Sequence, residues 1–385
     1  MRSPYEYSHE QTGMTETART ESESVATDAV PGIGTGLSAV MAATVLVPAN
    51  RGITDPAVVA AAVFAVVAVG AFLASRYGSG TQRIAAGIAT AASGGVLLCT
   101  AYALNQGLTA STELPGLSTS ISLLMAGFLT AGLTVGVGVA AVLKISVSGL
   151  KDRSSQMVVL SLLGVTGLFA AELAGVFLAL PVMEIAGDLS TTEFLVIAQL
   201  GMALGTAIIA GIYLSVTDRG LEFLDLRVPT KWDVIWTVGG LVILFGALMT
   251  ISLAFQTAGV ESADHGTTEQ AAENPEILLV LIPASLLVIG PFEELLYRNV
   301  IQKALYDTFS RAGAIVAGSV IFAGVHVLAY ATAGPGAVIA SLGVIFGLSL
   351  VLGTLYERTD NLLVPSVVHG VYNAILFGNL YLVYG

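Results

Sequence analysis

The chain has 385 residues, and its composition excludes an ordinary soluble protein of that length. Hydrophobic residues make up 55% of it and charged residues only 11%, whereas a soluble domain carries about 25% charged residues. A net charge of −12 without a basic stripe excludes a nucleic-acid binder. The single cysteine, Cys99, excludes a disulfide scaffold. The composition predicts an all-α, polytopic integral membrane protein.

Two polar stretches are rich in acidic residues. Residues 1–30 hold six acids and two arginines among Ser and Thr, so we expect a disordered acidic tail there. Residues 261–276 hold five acids and no Lys or Arg. The whole chain has four lysines against eleven arginines. Acid-rich polar segments with little lysine resemble proteins of salt-loving archaea, with ordinary solvated loops as the alternative interpretation.

Eleven apolar runs are long enough to cross a bilayer. A bilayer core about 30 Å thick needs about 20 apolar residues in each helix. The predicted spans are residues 32–49, 56–75, 84–104, 119–143, 156–180, 193–216, 234–255, 277–297, 312–332, 337–356 and 362–383. The first run is short and rich in glycine, so ten spans are the alternative count.

The distribution of positive charge predicts the orientation of these spans. Lys and Arg are retained on the cytoplasmic side of a membrane. Placing alternate connections on the same side collects fourteen Lys and Arg residues on one side and only Arg51 on the other. We therefore predict a multi-pass protein of the cell membrane with a cytoplasmic N-terminus, an external C-terminus and an external acidic loop at residues 256–276.

A charged segment divides the chain into two halves. Residues 217–233 mix Leu, Phe and Trp with charged residues at near-helical spacing, which is typical of a segment at the membrane surface. We predict transmembrane helices of unassigned role over 31–220 and a cytoplasmic interfacial segment over 221–233. The domain that carries the polar motifs, at 293–373, is predicted over 234–385.

Ionisable residues inside the spans are concentrated in the second half. Such residues are costly in a membrane and are usually functional. The first half has one acid well inside a run, Glu172, for which we favour a structural role, with a remote functional group as the alternative. The second half places six polar residues on three spans: Glu293, Glu294, Arg298, His326, His369 and Asn373.

The spacing of these residues indicates a single constellation. Glu294 and Arg298 are four residues apart and share a helix face, so we expect an ion pair between them. Glu293 points about 100° away and stays available for another partner. His369 and Asn373 also lie one helical turn apart. We expect the carboxylates and both imidazoles to converge in a cavity that is open to the cytoplasm.

Two chemistries fit such a cavity. A carboxylate beside an imidazole can activate a water molecule, while a second imidazole and a carboxamide donate hydrogen bonds to an oxyanion. Alternatively, Glu293, His326 and His369 supply the three protein ligands of a catalytic zinc site with an open position. Either arrangement hydrolyses a carbonyl compound, most simply at a peptide bond.

The ordered motifs resemble the CPBP family. They are Glu293-Glu294-x-x-x-Arg298, Phe322-x-x-x-His326 and His369-x-x-x-Asn373, on successive hydrophobic helices. That family groups CAAX-processing endopeptidases of the Rce type with bacteriocin-immunity proteins and is also called the Abi family. The resemblance covers residues 275–383 and leaves residues 31–220 without an assigned motif.

The resemblance implies an intramembrane endopeptidase that acts from the cytoplasmic side on a membrane-associated or prenylated, CAAX-like substrate. The roles it implies are water activation by Glu293 and His326, oxyanion support by His369 and Asn373, and shaping of the site by Glu294 and Arg298. The cofactor stays open, because a metalloprotease with a divalent metal such as zinc and a metal-free, glutamate-type mechanism are both compatible with the family.

Other classes of membrane protein remain as alternatives. The chain has no HExxH, GxSG or GxGD motif, which removes ordinary zinc proteases and the rhomboid-like and presenilin-like proteases. A secondary transporter that relays protons through the same cavity is one alternative, and a non-catalytic membrane scaffold is another. The predicted partners are the lipid bilayer and a peptide or lipidated protein substrate, with no nucleic acid.

Overall fold

The structure is a computed structural model that describes residues 29–113 and 120–385. The acidic tail predicted at residues 1–30 lies outside the described residues, except for its last two positions, which begin the first helix. The chain divides into two compact units, Met1–Asp152 and Arg153–Gly385.

The all-α prediction and the predicted number of spans are confirmed. Within the described residues, eleven helices are long and apolar enough to cross a membrane. They are α1 (Ala29–Asn50), α2 (Pro56–Tyr77), α3 (Gln82–Asn105), α4 (Leu123–Val142), α5 (Val147–Ala186), α6 (Thr191–Val216), α7 (Lys231–Ala258), α9 (Ile277–Leu305), α10 (Arg311–Tyr330), α11 (Pro335–Thr359) and α12 (Leu363–Tyr384). The shorter elements are helix α8 (Gly266–Glu273), the 3₁₀ turn Leu221–Phe223 and the strands β1 (Ser111–Glu113) and β2 (Ser120–Ser122).

Small residues let the helices of the first unit pack closely. The faces that α2 and α3 bury consist largely of alanine, including Ala61, Ala65 and Ala89. A Cβ atom at Gly95 would lie 2.8 Å from the ring of Phe64, so glycine permits this contact between α2 and α3. Close van der Waals packing of this kind holds helices together in lipid, where no hydrophobic driving force acts between them.

A two-stranded hairpin precedes α4. Strands β1 and β2 pair antiparallel, with Thr112 opposite Ile121. Ser122 ends β2 and caps α4, because its hydroxyl accepts a hydrogen bond from the N–H of Met125 at 3.1 Å. The all-α prediction did not include this hairpin, since three-residue strands leave no periodic signal in a sequence.

In the second unit, α6 contacts α5 through glycine. A Cβ atom at Gly201 would lie 2.3 Å from the backbone nitrogen of Gly175, so the two main chains touch. The largest apolar cluster of the unit joins α5, α6, α9 and α10 and includes Leu160, Ile301 and Ile321. This packing places α5 and α6 beside the helices that carry the polar motifs.

The connection between α6 and α7 binds the end of α9. We call this connection, residues 217–230, the clamp. Asp225 receives a hydrogen bond from the hydroxyl of Tyr356 and pairs with Lys303 at 2.8 Å. Asn299 accepts from the backbone N–H of Asp225 at 3.2 Å and donates to the Tyr356 hydroxyl at 3.0 Å. The clamp thereby joins the ends of α9 and α11.

Helix α9 is not a uniform α-helix. An α-helical turn at Gly290–Glu294 lies between two π-helical segments, Ser285–Ile289 and Leu295–Gln302. Pro283 and Pro291 lack the N–H that the α-helical ladder requires, which favours a change of hydrogen-bond register between them. π-Helical segments within α-helices are frequent at functional sites.

Candidate active site

Two glycines bring α9 and α12 into backbone contact. A Cβ atom at Gly290 would lie 2.5 Å from the carbonyl oxygen of Ser366, and one at Gly370 would lie 2.6 Å from the carbonyl oxygen of Ser285. Any larger residue would have to displace a main chain, so the close approach depends on both glycines. It brings His369 next to the acidic residues of α9.

The ion pair predicted between Glu294 and Arg298 is present. Arg298 Nε donates to Glu294 Oε2 at 2.9 Å, and both side chains are fully buried. The other oxygen of Glu294 accepts from Nδ1 of His369, also at 2.9 Å. A carboxylate only accepts hydrogen bonds, so His369 carries a proton on Nδ1 and directs Nε2 away from Glu294. The buried pair therefore sets the orientation of the imidazole.

Glu293 lies at the other nitrogen of the same imidazole. Its Oε2 is 3.8 Å from Nε2 of His369, which is beyond hydrogen-bond distance, and its side chain is 19% exposed. One water molecule can contact both atoms at this separation. His369 therefore has a glutamate at each ring nitrogen, one fully buried and one accessible.

Phe322 joins the second motif to this cluster. The centroid of its ring lies 4.6 Å from that of His326 and 6.1 Å from that of His369. The guanidinium of Arg298 lies over the same ring at 4.8 Å, and Tyr297 meets it edge-on at 5.0 Å. Cation–π and edge-to-face contacts of this kind are attractive. The Phe322 ring thus contacts residues of all three motifs.

His326 lies where α10 changes its geometry. The α-helical part ends at Val325, and a short 3₁₀ turn covers His326–Tyr330. Nδ1 of His326 is 2.7 Å from the carbonyl oxygen of Phe322, so Nδ1 donates and Nε2 is left for another partner. Within the described residues, His326 reaches the cluster through Phe322 and not through an ion pair with a glutamate.

Asn373 is the motif residue that the structure leaves apart. It lies half-buried on α12, one turn beyond His369, and it makes no hydrogen bond with a described residue. Support of an oxyanion by Asn373 stays a prediction.

A cavity of about 210 Å³ opens beside Glu293. Helix α9 contributes Glu293, Leu296 and Tyr297 to its walls, and α5 and α6 contribute the remainder. Among the residues from α5 and α6, Glu172 contributes a carboxylate and Gln199 a side-chain amide, and both groups can bind a ligand. Sequence reasoning did not connect either residue with the site, and their only signal was a polar group in the middle of an apolar run.

The donor atoms do not form a three-ligand metal group in this arrangement. Among the described residues, no three His, Cys, Asp or Glu side chains are grouped so that they could hold a metal ion. Glu293 faces His369, whereas His326 joins them through Phe322. Metal ligation by Glu293, His326 and His369 stays a prediction.

The structure also places His265 near the second motif. Its ring meets that of Tyr330 edge-on at a centroid distance of 5.2 Å, and its Nδ1 accepts from the N–H of Thr267 at 3.1 Å. Burial lowers the pKa of His265, and the nearby imidazole of His326 lowers it further. Helix α8 therefore packs on the turn that begins at His326, a contact that the sequence did not indicate.

Comparison with protein families selects the same part of the chain. Residues 275–375 match the family model of the Rce1-like type II CAAX prenyl endopeptidases. The match covers about a quarter of the chain and includes all six motif residues. Comparisons with curated proteins and with solved structures gave no match. In agreement with the resemblance of the motifs to the CPBP family, residues 275–375 of this multi-pass membrane protein form an Rce1-like domain.

Proposed function

We propose that this protein is an intramembrane endopeptidase that hydrolyses a peptide bond of a membrane-associated or prenylated, CAAX-like protein. The Rce1-like domain supports a peptide hydrolase in general. The observation that carries the specific proposal is the arrangement around His369. An accessible glutamate, Glu293, lies at one ring nitrogen, and the buried pair of Glu294 and Arg298 holds the other.

Glu293 acts as the general base in this proposal. Its carboxylate takes a proton from a water molecule, and the water oxygen attacks the carbonyl carbon of the peptide bond. His326, whose Nε2 is available, assists in positioning that water. The C–N bond then breaks, and Glu293 returns the proton to the leaving amine. The products are a carboxylic acid and an amine, with one water consumed.

His369 and Asn373 stabilise the tetrahedral intermediate. In this proposal His369 enters the reaction already doubly protonated, because the Glu294 carboxylate at Nδ1 stabilises the imidazolium. The Nε2–H of His369 then donates a hydrogen bond to the oxyanion and keeps its proton throughout. Asn373, one turn further along α12, offers its side-chain N–H groups to the same oxygen. Glu294 and Arg298 are positioning residues, since they act through His369.

The direct test is proteolysis by the purified, detergent-solubilised protein. The substrate is a mixed library of membrane-associated peptides that includes farnesylated CAAX sequences. We expect Glu293→Gln to lower the rate of cleavage by about 10²- to 10⁴-fold. Glu276→Gln is the matched control, because Glu276 is an exposed acid at the start of the same helix. Wild-type activity of Glu293→Gln would contradict the assignment of the base.

The same assay separates the remaining alternatives. Loss of cleavage with a chelator and recovery with zinc would establish a metal requirement. Absence of cleavage of any peptide by the wild type would favour a secondary transporter or a non-catalytic scaffold, and uptake by liposomes that contain the protein would separate these two.

We also propose that the site is reached from the cytoplasmic face, as the excess of Lys and Arg on one side indicates. In this orientation, residues 221–233 lie at the cytoplasmic surface of the membrane. Cys99 is the only cysteine, so a Cys99→Ser background permits site-specific labelling. In intact cells, an impermeant maleimide should modify Asp264→Cys and spare Asp307→Cys. The opposite pattern would invert the orientation.

A further inference from the structure

The cavity beside Glu293 has two carboxylates, a few neutral polar groups and otherwise apolar walls. Its polar groups include the carboxylates of Glu172 and Glu293 and the side-chain amide of Gln199. None of the described residues that line it is Lys, Arg or His. A pocket of this kind, with apolar walls and a few converging polar groups, is the usual form of a ligand site.

Two of these polar groups have no partner among the residues that the structure describes. The side chain of Glu172 is exposed in the middle of α5 and makes no ion pair or hydrogen bond with a described residue. The Oε1 atom of Gln199 is buried and has no hydrogen-bond partner among the described residues. Acidic residues inside a membrane are costly and usually functional, and buried acceptors are normally paired. Both groups therefore suit a ligand that donates hydrogen bonds.

The size and walls of the cavity limit that ligand. A volume of about 210 Å³ is below the roughly 300–1,000 Å³ of pockets that hold whole drug-sized molecules. The cavity therefore suits a single side chain better than a complete lipid chain. Its walls include Gly175, Phe194 and Met202, which present an apolar surface to the stem of a long side chain.

We propose that this cavity is a specificity pocket for a cationic side chain, Lys or Arg, of the peptide substrate. The aliphatic stem packs on the apolar wall, and the cationic head meets the carboxylate of Glu172 and the amide oxygen of Gln199. Glu293 stays available for the water. Because the pocket adjoins Glu293, the bound side chain belongs to a residue close to the bond that is cut. This inference rests on the proposed endopeptidase function.

The test compares peptides that differ at one position next to the cleaved bond. The three versions carry Lys, norleucine or Glu there. We expect the wild type to prefer the Lys peptide over the norleucine peptide by about tenfold in kcat/KM. Glu172→Gln should abolish this ratio, Gln199→Met should reduce it, and Glu172→Lys should shift the preference to the Glu peptide. Glu184→Gln should keep the wild-type ratio, since Glu184 is exposed on the same helix but does not line the cavity.

The outcomes distinguish this inference from the proposed function. Two outcomes would overturn the inference and leave the endopeptidase intact. In the first, cleavage requires Glu293 but the wild type does not prefer the Lys peptide. In the second, Glu172→Gln prefers the Lys peptide as strongly as the wild type does. If no peptide is cleaved, the proposed function fails, and fluorescence anisotropy with the same labelled peptides decides the inference. Tighter binding of the Lys peptide that Glu172→Gln abolishes would support the pocket, and equal binding of all three peptides would overturn it.

Discussion

Helix α9 carries two buried polar clusters that differ in how completely they are paired. At the clamp, Asn299, Asp225 and Tyr356 satisfy one another through side-chain and backbone hydrogen bonds. The second is the His369 cluster, formed by Glu293, Glu294, Arg298 and His369. In it, the two terminal N–H₂ groups of Arg298 are buried without a hydrogen-bond partner among the described residues. Glu293 in the same cluster has one long contact, to a ring nitrogen 3.8 Å away.

This difference separates a structural network from a reactive one. A buried polar network stabilises a protein when each member is satisfied, and a partly satisfied network costs free energy. Such costs persist mainly at functional sites. We therefore interpret the clamp as the structure that holds α9 in place, and the incompletely paired cluster as the part that meets the substrate.

Removing Arg298 should have the largest effect on stability. Arg298→Ala removes the arginine partner of the buried Glu294 carboxylate and leaves it only the contact with His369, so we expect a loss of about 3–5 kcal/mol in the free energy of unfolding. Hydrolysis should fall with it. Denaturant unfolding in detergent measures the first effect, and the peptide assay measures the second.

A double variant shows whether charge causes this loss. Glu294→Gln/Arg298→Met removes both charges and should recover most of the stability. Hydrolysis should stay low, because His369 loses the carboxylate that orients it. A double variant as unstable as Arg298→Ala would contradict the explanation by an unpaired charge.

Changing Gly370 tests the geometry of the His369 cluster without changing its charges. In Gly370→Ala, the added methyl would lie 2.6 Å from the carbonyl oxygen of Ser285 and 3.0 Å from Cα of Leu286. Since α9 and α12 must separate, we expect a loss of about 1–3 kcal/mol in stability and a larger fall in hydrolysis as His369 shifts. Gly378→Ala is the control on the same helix, with nothing within 4 Å of its Cβ position. Equal activity of the two variants would refute the requirement for close approach.

Changing Tyr356 tests the structural role of the clamp. Tyr356→Phe leaves Asp225 and Asn299 without one partner each, so we expect a loss of about 1–2 kcal/mol in stability. The rate of hydrolysis by the folded protein should stay near that of the wild type. Tyr372→Phe is the control, because that hydroxyl makes no hydrogen bond with a described residue. If Tyr356→Phe lost hydrolysis while the protein stayed folded, the clamp would belong instead to the part that meets the substrate.

Titration of His265 should have the smallest effect. Its pKa is lowered in the packed state, so the unpacked state binds more protons as the pH falls below about 6.5, and packing of α8 weakens. Protonation also removes Nδ1 as the acceptor for Thr267. The protection factors of the α8 amides, which correct hydrogen exchange for its intrinsic dependence on pH, should therefore fall on acidification. His265→Asn retains a capping acceptor but does not titrate, so the same acid response in that variant would contradict this role.

Local spacing explains why much of the architecture could be predicted. Apolar runs marked the membrane helices, and a separation of four residues brought Glu294 to Arg298 within one helix. The length of α5 was harder to predict from the sequence. The helix covers Val147–Ala186, well beyond the apolar run predicted at 156–180. Helical hydrogen bonding there continues into polar residues that the span criterion excludes.

The sequence by itself determined the membrane class, the helices and the residue types available for hydrolysis, because these depend on composition and on short-range periodicity. Only the tertiary structure decided which groups meet. His369 lies 75 residues after Glu294, and their contact depends on Gly290 and Gly370 allowing α9 and α12 to touch. Contacts between small residues on distant helices leave no periodic signal in the sequence. For the same reason, only the packing of α5 and α6 against α9 placed Glu172 in the cavity beside Glu293.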